Sequence, residues 1–261
     1  MKEDKKQFDR LLVDSLENPA HINPETTYYD EKYKSALIDC LKKRNLYSSF
    51  KKRELPENSR NPHMLSIASS SRLCYLYFQE KNILFEKGLS VGFRSTKAQL
   101  DAFDESKGIY YECKCHEIFD KHQKLWKSYQ NRLSECFGIH GQIKDEEIEL
   151  SLQDFGIDDC KLRGNSIYEL HFDMKQLLCH LLGLEKNGGG KLQYIFFTPS
   201  EKLIKENDWC LNLYKKLHTE IEVIWNSPVI NKMIDKANIT LCEPLEIEIQ
   251  NIDDFVLDSI K

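Results

Sequence analysis

Residues 97–119, KAQLDAFDESKGIYYECKCHEIF, constrain this chain more than any other stretch. Two runs alternate in hydrophobicity about a polar turn at residues 104–108, the pattern of a β-hairpin. In the first run Ala98, Leu100 and Ala102 share one face, and Gln99 and Asp101 share the other. In the second, Ile109, Tyr111 and Cys113 form the apolar face, and Glu112, Lys114 and His116 the polar one. The apolar faces must coincide, because a slip of one residue turns a whole set into water. An even loop satisfies this, either Ser106-Lys107 or residues 105–108. Either loop places Asp101 opposite Glu112, with Cβ atoms roughly 4.5–5.5 Å apart, and Lys114 follows on the same face. Asp104 would need the odd register.

Two carboxylates opposed across strands repel unless something neutralises them. A divalent cation does so, and hard oxygen ligands favour Mg²⁺, with Mn²⁺ as a substitute. The neighbouring lysine can orient or deprotonate a water, or steady a developing oxyanion. The alternative reading of the same residues is a charged hairpin face turned to water.

Asp101 followed by Glu112-Cys113-Lys114 resembles the motif of the restriction-endonuclease-like superfamily, the PD-(D/E)xK nucleases. Leu100 stands where that motif has proline. The resemblance implies catalytic Asp101, Glu112 and Lys114, with Asp101, Glu112 and the Cys113 carbonyl on the metal. It also implies a further acid near the preceding strand, a place that Glu86 fits; the plain reading of Glu86 is a strand-edge residue in solvent.

The 261 residues suffice for one large or two small domains. With 41% hydrophobic and 30% charged residues, a globular rather than disordered chain is expected. No window approaches the roughly 20 apolar residues of a membrane span, and the first residues lack a signal peptide's apolar core. Nine cysteines without paired CxxC spacing read as reduced thiols in a cytoplasmic protein. The net charge of −5 argues against a protein that coats nucleic acid generally. Basic residues nevertheless gather in residues 42–60, where Lys51, Lys52 and Arg53 are candidate phosphate contacts or a solvated face.

Residues 1–62 read as a helical N-terminal region, with helices carrying Phe8, Leu11, Leu12 and Leu16 and then Tyr33, Leu37 and Leu41. Residues 63–261 read as the core. A helix over 64–78 and a strand over 83–89 precede the hairpin. The apolar stripe of Ile118, His122, Leu125, Trp126, Tyr129, Leu133 and Phe137 predicts a helix over 118–137, whose Lys124 and Lys127 would suit phosphates. Residues 138–165 read as an insertion. DMKQLLCHLLGLE, residues 173–185, is a strong helix that sets Gln176 and His180 on one side. It resembles a Gln-x-x-x-Tyr element placed beside the active site in several superfamily branches, with His180 in the tyrosine's place. The run LQYIFF, residues 192–197, reads as a central buried strand. A helix over 209–219, a strand over 220–225, a helix over 229–237 and a late edge strand over 239–249 complete the chain.

This order predicts a mixed α/β fold: a three-layer core, a central mixed sheet flanked by helices, with helical N-terminal decoration. It agrees with the core that the resemblance implies over residues 64–199: a helix, three antiparallel strands, a helix and a parallel strand. Within the superfamily the chain is similar to prokaryotic restriction endonucleases. The resemblance therefore implies a Mg²⁺-dependent endonuclease acting on double-stranded DNA and leaving 5′-phosphates; one Asp-Glu-Lys set serves one phosphate, so cutting both strands most simply calls for a twofold homodimer. The alternatives are a catalytically inactive nuclease-fold protein that binds nucleic acid, and an unrelated α/β enzyme in which Glu112 and Lys114 form a surface ion pair.

Overall fold

The computed structural model describes residues 2–17, 19–51, 54–56, 59, 61–79, 82–93, 96–119, 122–158, 162 and 164–260. Three helices open the chain: α1 (Lys2–Asp14), α2 (Glu31–Lys43) and α3 (Tyr47–Phe50). Helix α4 (Ser70–Tyr77) leads into an antiparallel meander, β1 (Ile83–Ser90), β2 (Lys97–Asp104) and β3 (Ile109–Lys114). An excursion follows, with β4 (Leu125–Trp126), α5 (Gln130–Phe137), β5 (Gln142–Lys144) and β6 (Glu147–Glu149). Helix α6 (Met174–Lys186) then returns the chain to β7 (Gly190–Thr198), which runs parallel to β3. Helices α7 (Glu201–Glu206), α8 (Asp208–Trp225) and α9 (Pro228–Ala237) precede β8 (Ile239–Leu241), β9 (Leu245–Glu248) and α10 (Phe255–Asp258). The main sheet runs β1-β2-β3-β7-β8, and β9 joins β7 farther along; Pro244 sits in the gap between these last strands. The fold is thus mixed α/β around a mixed sheet. No helix among the described residues is long and apolar enough to cross a membrane.

Helices cover both faces of the sheet. Tyr111 of β3 meets Phe78 at the end of α4, with ring centroids 4.6 Å apart. Glu112, one residue on, is held by Gln176 of α6. Alternation along a strand therefore puts α4 and α6 on opposite faces. Gly183 lets α6 sit close: a methyl there would stand 3.0 Å from Ala98 Cβ and 3.1 Å from Leu89 Cβ. One hydrophobic core runs from Phe8 in α1 to Val256 in α10, so the N-terminal helices share it with the sheet.

The pleat switches sides at one level. Phe85 packs on Tyr75 of α4, whereas Leu89, four residues along the same strand, faces Gly183 of α6. Regular alternation would keep both on one face. Glu86 absorbs the switch: its φ is +54°, and it drops out of a β1–β2 ladder that resumes in unchanged register. The same break corrects the expected grouping of Ala98 with Ala102. Ala98 faces α6, whereas Ala102 pairs with Phe85 and Tyr111, which pack on the α4 side.

Other expectations change. The helix expected over 64–78 is a 3₁₀ turn at His63–Leu65 followed by the shorter α4. The helix expected over 118–137 survives only as α5; Leu125 and Trp126 belong to a small sheet of order β4-β6-β5. The excursion therefore starts well before residue 138. Residues 220–225 are not a strand but the last turns of α8, whose buried Cys210, Leu213, Tyr214, Leu217, Ile221 and Ile224 keep helical spacing. The helices over 173–185 and 229–237 and the buried strand over 192–197 stand where the sequence puts them.

Because α6 touches the sheet through Gly183, Gly183→Val should overpack that contact and cost about 1–3 kcal/mol. Thermal unfolding checks this; a melting temperature equal to wild type would show that α6 has slack there.

Candidate active site

The β2–β3 register runs from Asp104↔Ile109 to Ala102↔Tyr111 around the four-residue loop 105–108. Continued by one residue, it sets Asp101 beside Glu112. The β1–β2 register likewise sets Glu86 beside Asp101, and β7 places Tyr194 beside Glu112. One row across four strands thus reads Glu86, Asp101, Glu112, Tyr194. Asp101 leaves the ladder, and its carboxylate instead accepts the Cys113 N–H at 2.7 Å. Asp104 serves the turn, accepting from Ser106 and Lys107.

The polar face is not turned to water. Glu112 is 3% exposed, and the Lys114 side chain 12%. Helix α6 covers them because Asp173 caps its first turn through the Gln176 N–H, and Gln176 then points at the sheet. Gln176 bridges the site: Nε2 donates to Glu112 Oε1 at 2.6 Å, and Oε1 accepts from Lys114 Nζ at 2.6 Å. Lys114 Nζ also lies 2.7 Å from Glu112 Oε1. Gln176 thus positions the lysine and carboxylate, and it is half-buried with a second amide hydrogen and a second oxygen lone pair left over for the substrate contact expected of it.

His180, one turn along, is a positioning residue as well. The Gln99 carbonyl can only accept, so Nε2, 3.0 Å away, carries the hydrogen. Nδ1 then accepts from the Tyr194 hydroxyl at 3.1 Å. Burial, helped by the Lys114 charge, pushes the His180 pKa down to about 3, so the ring is neutral. Glu112 Oε2 lies 3.5 Å from that Nε2, whose hydrogen is already committed, and is buried without a hydrogen-bond partner.

Burial raises the Glu112 pKa to about 7, against the pull of Lys114. Asp101 rises well above the usual carboxylate range, through burial and then the Glu112 charge; Lys114 and the Cys113 N–H act the other way. Burial alone would lower Lys114, but Glu112, Glu117 and Asp101 more than reverse it, so the amine is held as an ammonium.

Glu117 is a member of this cluster that the sequence reading did not single out. It accepts the Cys115 N–H at 2.7 Å and the Ser70 hydroxyl at 2.5 Å. Despite burial, the charges of Lys114 and His116 and these donors keep its pKa low. Asp173 was also missed, although an Asp just ahead of a strong helical pattern is a capping signal.

The donor set fits a hard cation in its chemistry: two carboxylates that repel each other, one with an oxygen lacking any donor. Among the described residues, however, no three His, Cys, Asp or Glu side chains stand ready as a cation cage. Lys114 occupies Glu112, and Asp101 leans on a backbone N–H. Glu86 is half-buried beside Asp101. Cys113 is buried, and the eight described cysteines are free thiols.

The other candidates do not join this site. Lys124 and Lys127 are not a helical stripe; each flanks β4 and is ion-paired, with Glu149 and, at 2.6 Å, with Glu146. Lys51 is exposed, and Lys52 and Arg53 lie outside the described residues.

Removing Glu112 outright takes the nearest countercharge, at 2.7 Å, from the buried Lys114 ammonium and empties the space it fills. Glu112→Ala should therefore cost about 3–5 kcal/mol of stability, whereas Glu112→Gln, which keeps an acceptor, should cost much less. Chemical denaturation of both variants checks this. Equal midpoints would show that the pair is not buried as described.

The chain matches no family model, no curated protein and no solved structure.

Proposed function

We propose that the chain is a Mg²⁺-dependent DNA endonuclease, of restriction type, that hydrolyses phosphodiester bonds. The observation that carries the reading is the placement of Asp101 at the level of Glu112, with Lys114 two residues on reaching back to Glu112 at 2.7 Å and a buried Glu112 oxygen lacking a donor. The path α4, three antiparallel strands, α6 and a parallel β7 agrees with the core that the PD-(D/E)xK resemblance implies. Double-stranded DNA as substrate and the 5′-phosphate product rest on that resemblance, and a twofold dimer on the need to cut two strands with one Asp-Glu-Lys set per chain.

Asp101 and Glu112 would hold the metal, with the Cys113 carbonyl and Glu86 beside them. A Mg²⁺ bound there supplies a Lewis acid for the scissile phosphate and acidifies a water. The chain's own groups do the rest. Lys114, kept as an ammonium by surrounding carboxylates, orients the attacking water and offsets charge growing on the phosphate oxygens. Gln176 fixes where the ammonium stands. Asp101, Glu86 and Lys114 are half-buried, so a phosphate approaches from their side rather than over Glu112.

A second reading draws on the direct Lys114–Glu112 pair: a nucleic-acid-binding protein in which these groups only brace α6 against the sheet. A plasmid-cleavage assay separates the two. Wild type should nick or linearise DNA with Mg²⁺ and stop with EDTA. Asp101→Asn and Lys114→Met should each lower the rate by roughly 10²–10³-fold. DNA binding without cleavage by pure wild type would favour the second reading.

A further inference from the structure

The catalytic strand ends at Lys114, and the next core element begins at Met174. Between them the chain leaves the main sheet to build the small one. The two feet of this excursion, His122 and Asp173, meet: His122 Nδ1 lies 3.3 Å from Asp173 Oδ2. The His122 side chain is 4% exposed, and its Nε2 is buried without a partner. His122, Asp173, Lys114 and Glu117 border one void of about 10 Å³, room for a single water at most.

Capping alone does not account for this pair. The cap uses Asp173 Oδ1, which accepts the Gln176 N–H at 2.9 Å, and an asparagine would serve as well. Neither a charge on residue 173 nor a buried imidazole against it is needed to start a helix, and burying both carries a desolvation cost. Against burial, the His122 donor and charge, then the Lys114 charge, hold Asp173 ionised, with a pKa of about 2. Three residues into α6, Gln176 must point its carbonyl at Lys114 and its amide at Glu112. A small shift of the first turn of α6 would break both bonds.

We propose that Asp173 and His122 form a positioning pair that pins the feet of the excursion beside Lys114 and thereby sets the Gln176 clamp on the lysine. That this placement serves cleavage rests on the reading under Proposed function; the placement itself does not. Neither residue touches a substrate. They act through Gln176.

The test measures Lys114 directly. Metal-free protein is pulsed with acetic anhydride, and acetylation of Lys114 is read by peptide mass spectrometry for wild type, Asp173→Asn, His122→Leu and His122→Asn. Asp173→Asn keeps the helix cap, and His122→Asn keeps a donor near the Nδ1 position. Lys114 labelling should rise about five-fold or more in Asp173→Asn and His122→Leu, while His122→Asn restores most of the protection, because the first variant removes the charge on residue 173 and the second removes its partner. In cleavage assays of a wild type that cuts, Asp173→Asn should lower kcat by about 10–100-fold with KM within about three-fold. Unchanged Lys114 labelling in both variants overturns the proposal. So does a rise in labelling shared by lysines across the chain together with a matching fall in melting temperature, which marks general loosening. A wild type that does not cut bears only on the nuclease reading, since the labelling decides the positioning pair without it.

Discussion

Glu112 is a buried carboxylate on a central strand, and the site is arranged around keeping it there. Burial raises its pKa, so it needs a cation or donors close by. Lys114 supplies the charge, and Gln176 ties the pair to α6. Placing Gln176 requires α6 close to the sheet, which Gly183 allows, and a capped first turn, which Asp173 makes. His180 spends both ring nitrogens on Gln99 and Tyr194 and leaves one Glu112 oxygen without a donor. The site is thus rich in acid: Asp101, Glu112 and Glu117 surround a single lysine ammonium.

Backbone strain falls at the same level. Glu86 takes a left-handed conformation, uncommon for a residue with a side chain, and leaves the ladder opposite Asp101. Asp101 in turn leaves the β2–β3 ladder to accept the Cys113 N–H. A break in the pleat frees both acidic residues from regular pairing beside Glu112. Such strain persists only where the surrounding structure holds it, and it tends to lie at functional sites.

The hairpin was legible from residues alone, because a period of two and an even loop leave one register. That Asp101 falls at the level of Glu112, although it leaves the ladder there, and that Gln176 and His180 share a side followed from spacing. What could not be read was the cover. An alternating pattern says which side chains oppose the core, but a second helix layer can bury the polar side when its charges neutralise each other, as Glu112 and Lys114 do. The helix expected over 118–137 failed because Leu125 and Trp126 fit a helical stripe by coincidence, while the chain had already turned into a small sheet. In residues 220–225 the β-branched EIEVIW suggested a strand, yet Ile221 and Ile224 extend the buried helical row from Cys210. Glu117 was missed because a carboxylate just beyond a strand carries no periodic signal; its role depends on Ser70 from another element.

The central claim is that Asp101 and Glu112 form a cation site. Crystals grown with Mn²⁺ and measured at the manganese absorption edge test it most directly. The account predicts one anomalous peak between the two carboxylates, with Lys114 displaced from Glu112. A well-ordered structure at millimolar Mn²⁺ with no peak there, and Lys114 still on Glu112, would contradict it.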